Sequence, residues 1–284
     1  MTAQPTRRIH LCADDYGISP GVNRGIRELI ARQRLNATSV MVVGPAVGRD
    51  EIAALRSVVA DTGCAVGLHT TLTAPFHPLT MHFRPLHGGR FPPLGRTLAA
   101  GLLRSLDREI IGAEIAAQLA RFADLFGRAP DYVDGHQHVH LFPQVREAFI
   151  AAVQSAAPRA WVRQCGRPVT GMRRITPPKA LLLDALSARF RRLCDRAGVR
   201  YNTGFAGAYD FTRETDFAAL MPAFLRALPD TGLVMCHPGF VDEVLVSLDP
   251  LTTQRQREFD FLASDGFLEL LQKQAVALAT PTKN

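Results

Sequence analysis

Short apolar runs alternate along most of the chain with longer stretches whose apolar positions recur at helical spacing. The runs at 8–13, 38–43, 64–70, 131–136, 160–164, 199–202 and 232–237 predict strands. The first helix is predicted from Ser19 as N-cap and Pro20 at the first helical position, with Val22, Ile26, Leu29 and Ile30 on one face. Further helices are expected over 51–60, over 108–126, from near Pro143, over 179–194 after a Pro-rich link, and over 216–227. In the 108–126 helix, Ile111, Ile115, Leu119, Phe122 and Phe126 define the buried stripe. Two more helical stretches close the chain. Such alternation predicts an α/β protein, a single-domain (β/α) barrel of seven strands resembling a TIM barrel. No glycine fingerprint of a dinucleotide fold follows the first strand. Gly204-Phe205-Ala206-Gly207-Ala208 also lacks the lysine of a phosphate-binding loop.

The rhythm breaks once. From 73 to 106 the chain is rich in Pro, Gly and His, and is too long for an ordinary connection. It reads as an insertion in one catalytic domain spanning 1–284, forming a lid or a substrate-binding loop directly after His69.

Composition narrows the classes. With 47% hydrophobic and 21% charged residues the chain can bury a large core. No apolar run is long enough to span a membrane, and the N-terminus does not resemble a secretory signal. Five scattered cysteines without CxxC pairs suit a reduced, cytoplasmic protein. The net charge of +7 is mostly arginine spread through helices, without the basic–aromatic interleaving of a nucleic-acid binder. Peripheral contact with anionic lipid or an anionic glycan fits that charge better. Oligomeric state, a homodimer included, stays open.

The chemistry concentrates at strand ends. Asp14 and Asp15 close the first strand, and adjacent carboxylates repel, so keeping both charged favours a cation nearby. Strand alternation sends the two side chains apart, which predicts one ligand and one base. His69 ends the third strand. In Asp134-Gly135-His136-Gln137-His138-Val139-His140 three imidazoles at period two would share one face of an extended chain. One carboxylate and two imidazoles from three strand ends make a divalent-metal site with open positions. Asp134 is placed to orient a ligand imidazole, and His138 and His140 to touch substrate or support the ligands. His237, stopped by Pro238-Gly239, is a candidate general acid or additional ligand. No G-x-S-x-G elbow supports a serine nucleophile.

Four stretches in order, Ala13-Asp14-Asp15-Tyr16-Gly17-Ile18-Ser19, Gly67-Leu68-His69-Thr70-Thr71-Leu72-Thr73, Asp134 to His140, and Cys236-His237-Pro238-Gly239, resemble the YdjC-type carbohydrate deacetylases. That family includes chitooligosaccharide deacetylases and hopanoid-biosynthesis deacetylases. The resemblance implies a seven-stranded (β/α) barrel and metal-dependent removal of an N-acetyl group from an amino sugar. It implies Asp15, His69 and His136 as ligands of one divalent ion, Asp14 as base and His237 as acid. Ligand softness favours zinc, the family magnesium. Thr70 and Thr71 stand where the family usually has an apolar residue after the histidine, so the floor of the sugar pocket differs. Two rivals compete: a metal-dependent phosphoesterase or cyclic-amide hydrolase on the same barrel, and a non-catalytic glycan-binding protein.

Overall fold

The computed structural model describes residues 6–168, 178–211 and 215–279; most of the Pro-rich link expected before residue 179 lies outside them. The strands are β1 (Arg7–Tyr16), β2 (Ala37–Val40), β3 (Ala65–Thr70), β4 (Tyr132–Gly135), β5 (Trp161–Val162), β6 (Phe205–Ala206), β7 (Leu233–Cys236) and β8 (Val276–Leu278). Between them run α1 (Pro20–Ala31), α2 (Arg49–Thr62), α3 (Leu94–Leu102), α4 (Arg108–Phe126), a 3₁₀ turn (His136–Leu141), α5 (Val145–Ala156), α6 (Pro178–Ala197), α7 (Phe217–Ala227), α8 (Glu243–Leu248), α9 (Thr253–Ala263) and α10 (Asp265–Lys273).

All pairings between named strands are parallel, in the order β5-β4-β3-β2-β1-β7-β6, so the seven-stranded barrel expected from the sequence is the fold. The circuit closes between β5 and the segment before β6. Val162 and Tyr201 form a parallel bridge, and the Asn202 side chain accepts from Gln164 N–H (2.8 Å) and donates to the Gln164 carbonyl (3.1 Å). An asparagine side chain thus stands in for a ladder rung; the stretch expected as a strand over 199–202 contributes only the Tyr201 bridge, and the strand here is Phe205–Ala206. β8 was not foreseen; it pairs with the start of β1, from Arg7↔Val276 to Ile9↔Leu278. Three helices, not two, close the chain.

Register sets the site. His69 of β3 lies beside Asp134 of β4, and Ala13 of β1 beside Cys236 of β7. The residues that follow, Asp14 and His237, therefore leave the sheet side by side. At the end of β1 the chain turns sharply: Asp15 takes a left-handed φ of +68°, tolerated by Asp, and Gly17 takes +101°. A side chain at Gly17 would strike the Met41 carbonyl, so only glycine fits this close approach. Asn23 of α1 braces the turn, accepting from Gly17 N–H (2.6 Å) and donating to the Ala46 carbonyl (2.9 Å). Ser19 caps α1 through Val22 N–H, with Pro20 at its start.

The 73–106 segment carries α3 and is tied down. Backbone bonds Ala74 N–H to Pro92 O (3.0 Å) and Phe91 N–H to Phe76 O (2.9 Å) close its neck. Phe76, Phe83 and Phe91 are buried, and the buried Glu114 of α4 accepts from Leu79 N–H and from the N–H and hydroxyl of Thr80. Among the described residues no helix is long and apolar enough to cross a membrane.

Candidate metal centre

Asp15, His69 and His136 meet at the carboxyl ends of the strands, all three buried, with one donor atom each lying within 4.8 Å of the others. Asp15 Oδ1 is 3.0 Å from His136 Nδ1 and 3.3 Å from His69 Nε2. Two of the three candidates have a partner behind them. His69 Nδ1 sits 2.6 Å from Asp134 Oδ1, which turns Nε2 toward the cluster. Asp15 Oδ2 accepts from Arg255 of α9 at 2.6 Å, leaving Oδ1 to face the imidazoles. Asp134 thus orients His69, the neighbour across the ladder, rather than His136 on its own strand.

Charge follows from these contacts. Burial alone would raise the Asp15 pKa, but the Arg255 guanidinium and the His136 and His69 imidazoles hold it well below the carboxylate range. Burial would lower that of His69, but the carboxylates of Asp134 and Asp14, with hydrogen bonds to Asp134 and Asp15, lift it to about 10. The carboxylates around His69 thus favour positive charge at this point of the site. One carboxylate and two imidazoles, one of them oriented through Asp134, fit a divalent metal ion.

Asp14 takes a different partner from Asp15. Its two oxygens are each 2.6 Å from the buried Arg163 guanidinium, a bidentate pair. The same guanidinium reaches Asp134 Oδ2 at 2.5 Å and Cys12 Sγ at 3.0 Å. Ser39 Oγ donates to Asp134 (2.6 Å), and Tyr132 OH bonds both Ser39 and Cys12. Cys12, Asp14 and Asp134 also cluster at metal-like distances, but Arg163 already supplies the positive charge among them.

The histidine run does not stay extended. At His136 the chain enters the 3₁₀ turn, with Gln137 and His138 at φ +52° and +59°, so the expectation of three imidazoles on one face is corrected. His136 faces Asp15. His138, half-buried, lies edge-on to Phe205 and 3.5 Å from Cys165 Sγ. His140 is fully buried between Phe149 and Phe190, with Nε2 2.7 Å from the Arg163 carbonyl, and is beyond reach of any substrate. Its place is structural: it holds the strand end that carries Arg163.

His237 lies at the same rim. Its backbone N–H donates to the buried Glu258 of α9, which also accepts from Tyr209 OH, and its ring meets Phe211 edge-on at 5.1 Å. Burial pushes the imidazole down to about 4, against the pull of Asp15. Burial likewise raises Glu258 to about 7.

The depressed pKa values of the fully buried His140 and the partly buried His237 make the fold acid-sensitive. At pH 7 His140 and His237 are neutral in both folded and unfolded chains; between pH 6.5 and 4 only the unfolded chain takes up their protons, so stability falls with falling pH. Each contributes on the order of 3 kcal/mol across that window. His140→Gln keeps a donor for the Arg163 carbonyl but cannot titrate, and should flatten the unfolding free energy against pH by about one proton's slope. An unchanged slope would show that His140 already accepts charge in place.

Fold and cluster together define a parallel α/β barrel with a cation-ready carboxylate and two imidazoles at its strand ends. The chain belongs to the YdjC-like protein family, whose profile matches residues 8–273. It is 31% identical over 254 residues to a chitooligosaccharide deacetylase of Enterobacter sp. (strain 638), across 89% of both chains. It is 29% identical over 256 residues to a carbohydrate deacetylase of Homo sapiens, across 84% of this chain and 76% of that one. A crystal structure from Enterococcus faecalis V583, whose assigned role in cellobiose-phosphate cleavage is itself provisional, aligns with TM-score 0.75 and 21% identity over 96% and 97% of the two chains. That likeness shows the fold.

Pattern reading missed Arg163, Arg255, Glu258 and Asn23. Arg163 left one trace, a charge directly after the apolar pair Trp161-Val162 at a strand end.

Proposed function

We propose that this chain hydrolyses the N-acetyl group of an amino sugar, with Asp15, His69 and His136 holding one divalent cation and Asp14 as the proton acceptor. The observation that supports it best is the division of labour between neighbours: Asp15 joins the imidazoles, while Asp14, one residue earlier, is fixed beside them by Arg163. The deacetylase names of the family relatives supply the reaction class. A divalent cation at such a site lowers the pKa of a bound water and polarises an acyl carbonyl.

The chain's own groups do the rest. Arg163 occupies both oxygens of Asp14 from one side, so the carboxylate is held in one orientation and its remaining lone pairs take the proton of the attacking water. Asp134 keeps His69 in the tautomer that offers Nε2. His237, at the same rim, is the group we assign to protonate the departing amine. Being neutral at pH 7, it passes on a proton received during turnover rather than one it stores. The Cys12–Asp14–Asp134 group is filled by a guanidinium, which favours one cation over the two-metal phosphoesterase alternative. Five free, buried thiols suit a reducing compartment, and on that ground we place the chain in the cytoplasm.

The test is acetate release from a panel of N-acetylated oligosaccharides and glycolipids, with chelator and with zinc, magnesium, cobalt or nickel restored. Release that chelator abolishes and one metal returns is the expected result. No acetate from any substrate under any metal, or release indifferent to chelator, would sink the reading.

A further inference from the structure

The 73–106 segment has a second property that its place beside the site does not require. It contains no Asp or Glu, while Arg84, Arg90, Arg96 and Arg104 are all exposed, and among the described residues none has a carboxylate partner. Interleaved with them are four of the chain's most exposed apolar side chains: Met81 (88% exposed), Leu103 (79%), Leu102 and Leu79. Basic and apolar positions are paired locally. Arg84 bonds the carbonyl of Met81, and Arg104 directly follows Leu102-Leu103. Arg96 reaches His87 of the Gly88-Gly89 hairpin at 3.0 Å, joining α3 to that hairpin.

We infer that this segment is a docking surface for an anionic lipid bilayer. Exposed Leu and Met side chains enter the headgroup boundary, and unpaired guanidinium groups meet the negative surface. A second copy of the chain fits poorly, because a twofold interface would set arginine against arginine. Nucleic acid fits less well, since Phe76, Phe83 and Phe91 are buried and the segment exposes no Phe, Tyr or Trp for bases to stack on, while its exposed Leu and Met have no role there. Position gives the docking a use. The segment leaves β3 just after His69, and its Phe76 ring packs edge-on against His136 at 5.7 Å. A docked segment therefore holds the rim of the barrel against the bilayer. The docking stands independently of the deacetylase reading, so it is tested without substrate.

The experiment is co-sedimentation of the full chain with vesicles of equal parts phosphatidylglycerol and phosphatidylcholine, against vesicles of phosphatidylcholine alone. Binding should need the anionic lipid and weaken with added salt. Arg84→Gln with Arg104→Gln should weaken it about fivefold per arginine removed, and Met81→Ser with Leu103→Ser should weaken it further. Both pairs are exposed, so unchanged thermal midpoints check that folding is intact. Three results would overturn the inference: equal binding to both vesicle types, anionic-vesicle binding that neither pair of substitutions alters, or no vesicle binding. In the last case, light scattering and a single-stranded oligonucleotide would show whether the same substitutions break a dimer or a nucleic-acid complex instead.

Discussion

Asp14→Asn should lower kcat/KM by roughly 10²–10⁴-fold while leaving affinity for the divalent ion within about threefold. Asparagine keeps the shape of the side chain but cannot take a proton from water. It also turns one leg of the Arg163 pair into a donor facing a donor, so the protein loses on the order of 1–3 kcal/mol of stability as well. The cation should survive because Asp15, His69, His136 and the Asp134 behind His69 are untouched. Rate and metal titration, read on one preparation, separate three cases. Lost rate with retained metal supports Asp14 as base. Lost metal would place it among the ligands, and a variant keeping more than about a tenth of the rate would remove it from the mechanism. A non-catalytic glycan binder would show no acetate release to lose.

That adjacent carboxylates need positive charge is a sequence-level argument, and the structure answers it first with arginine. Asp14 and Asp15 pair with different buried arginines, and each arginine is shared with a second carboxylate: Arg163 with Asp134, Arg255 with Asp249. Two guanidinium charges thus face four carboxylates, so arginine alone leaves the group with negative charge to spare. A cation at Asp15, His69 and His136 would meet that remaining charge.

How much of this was legible depends on where each signal lies. The 108–126 helix was readable to the residue because its stop and start are local: Asp107 accepts from Glu109 and Ile110 N–H, and Gly127 takes the left-handed C-cap. That Asp15, His69 and His136 would meet was readable because each ends an apolar run, and strand ends of a parallel barrel share one rim. Arg255 and Glu258 were not. They sit in Thr-Gln-Arg-Gln-Arg-Glu-Phe-Asp, which has the look of a solvated helix face, yet both are fully buried in α9. Only the tertiary packing of α9, against α1, α7 and α10, turns that face inward to Asp15 and the His237 N–H. The histidine run misled for a related reason. Period two means one face only while the chain stays extended, and nothing local announced the left-handed Gln137 and His138. β8, three residues long and placed after a helix, carried too little pattern to count as a strand.

Arg163→Met should be the most damaging single change outside the ligands, destabilising the fold by about 3–5 kcal/mol and cutting turnover together with it. The guanidinium is fully buried, and its removal leaves Asp14 and Asp134 in one pocket without their shared counter-charge. Burial pushes the Asp134 pKa up, and Arg163 first, then His69, bring it down to about 2. Without Arg163 the carboxyl takes up a proton more readily and loosens its hold on His69, so affinity for the metal should fall as well, by about 10–100-fold. Lysine cannot replace a bidentate fork, and Arg163→Lys should recover stability better than rate. The decisive measurement is the double variant Arg163→Met with Asp14→Asn. If Arg163 acts on turnover through Asp14, the two losses in kcat/KM overlap and the double variant is scarcely slower than the worse single one. If they multiply, Arg163 serves the reaction by another route, and the bidentate pair with Asp14 is a support of the barrel alone.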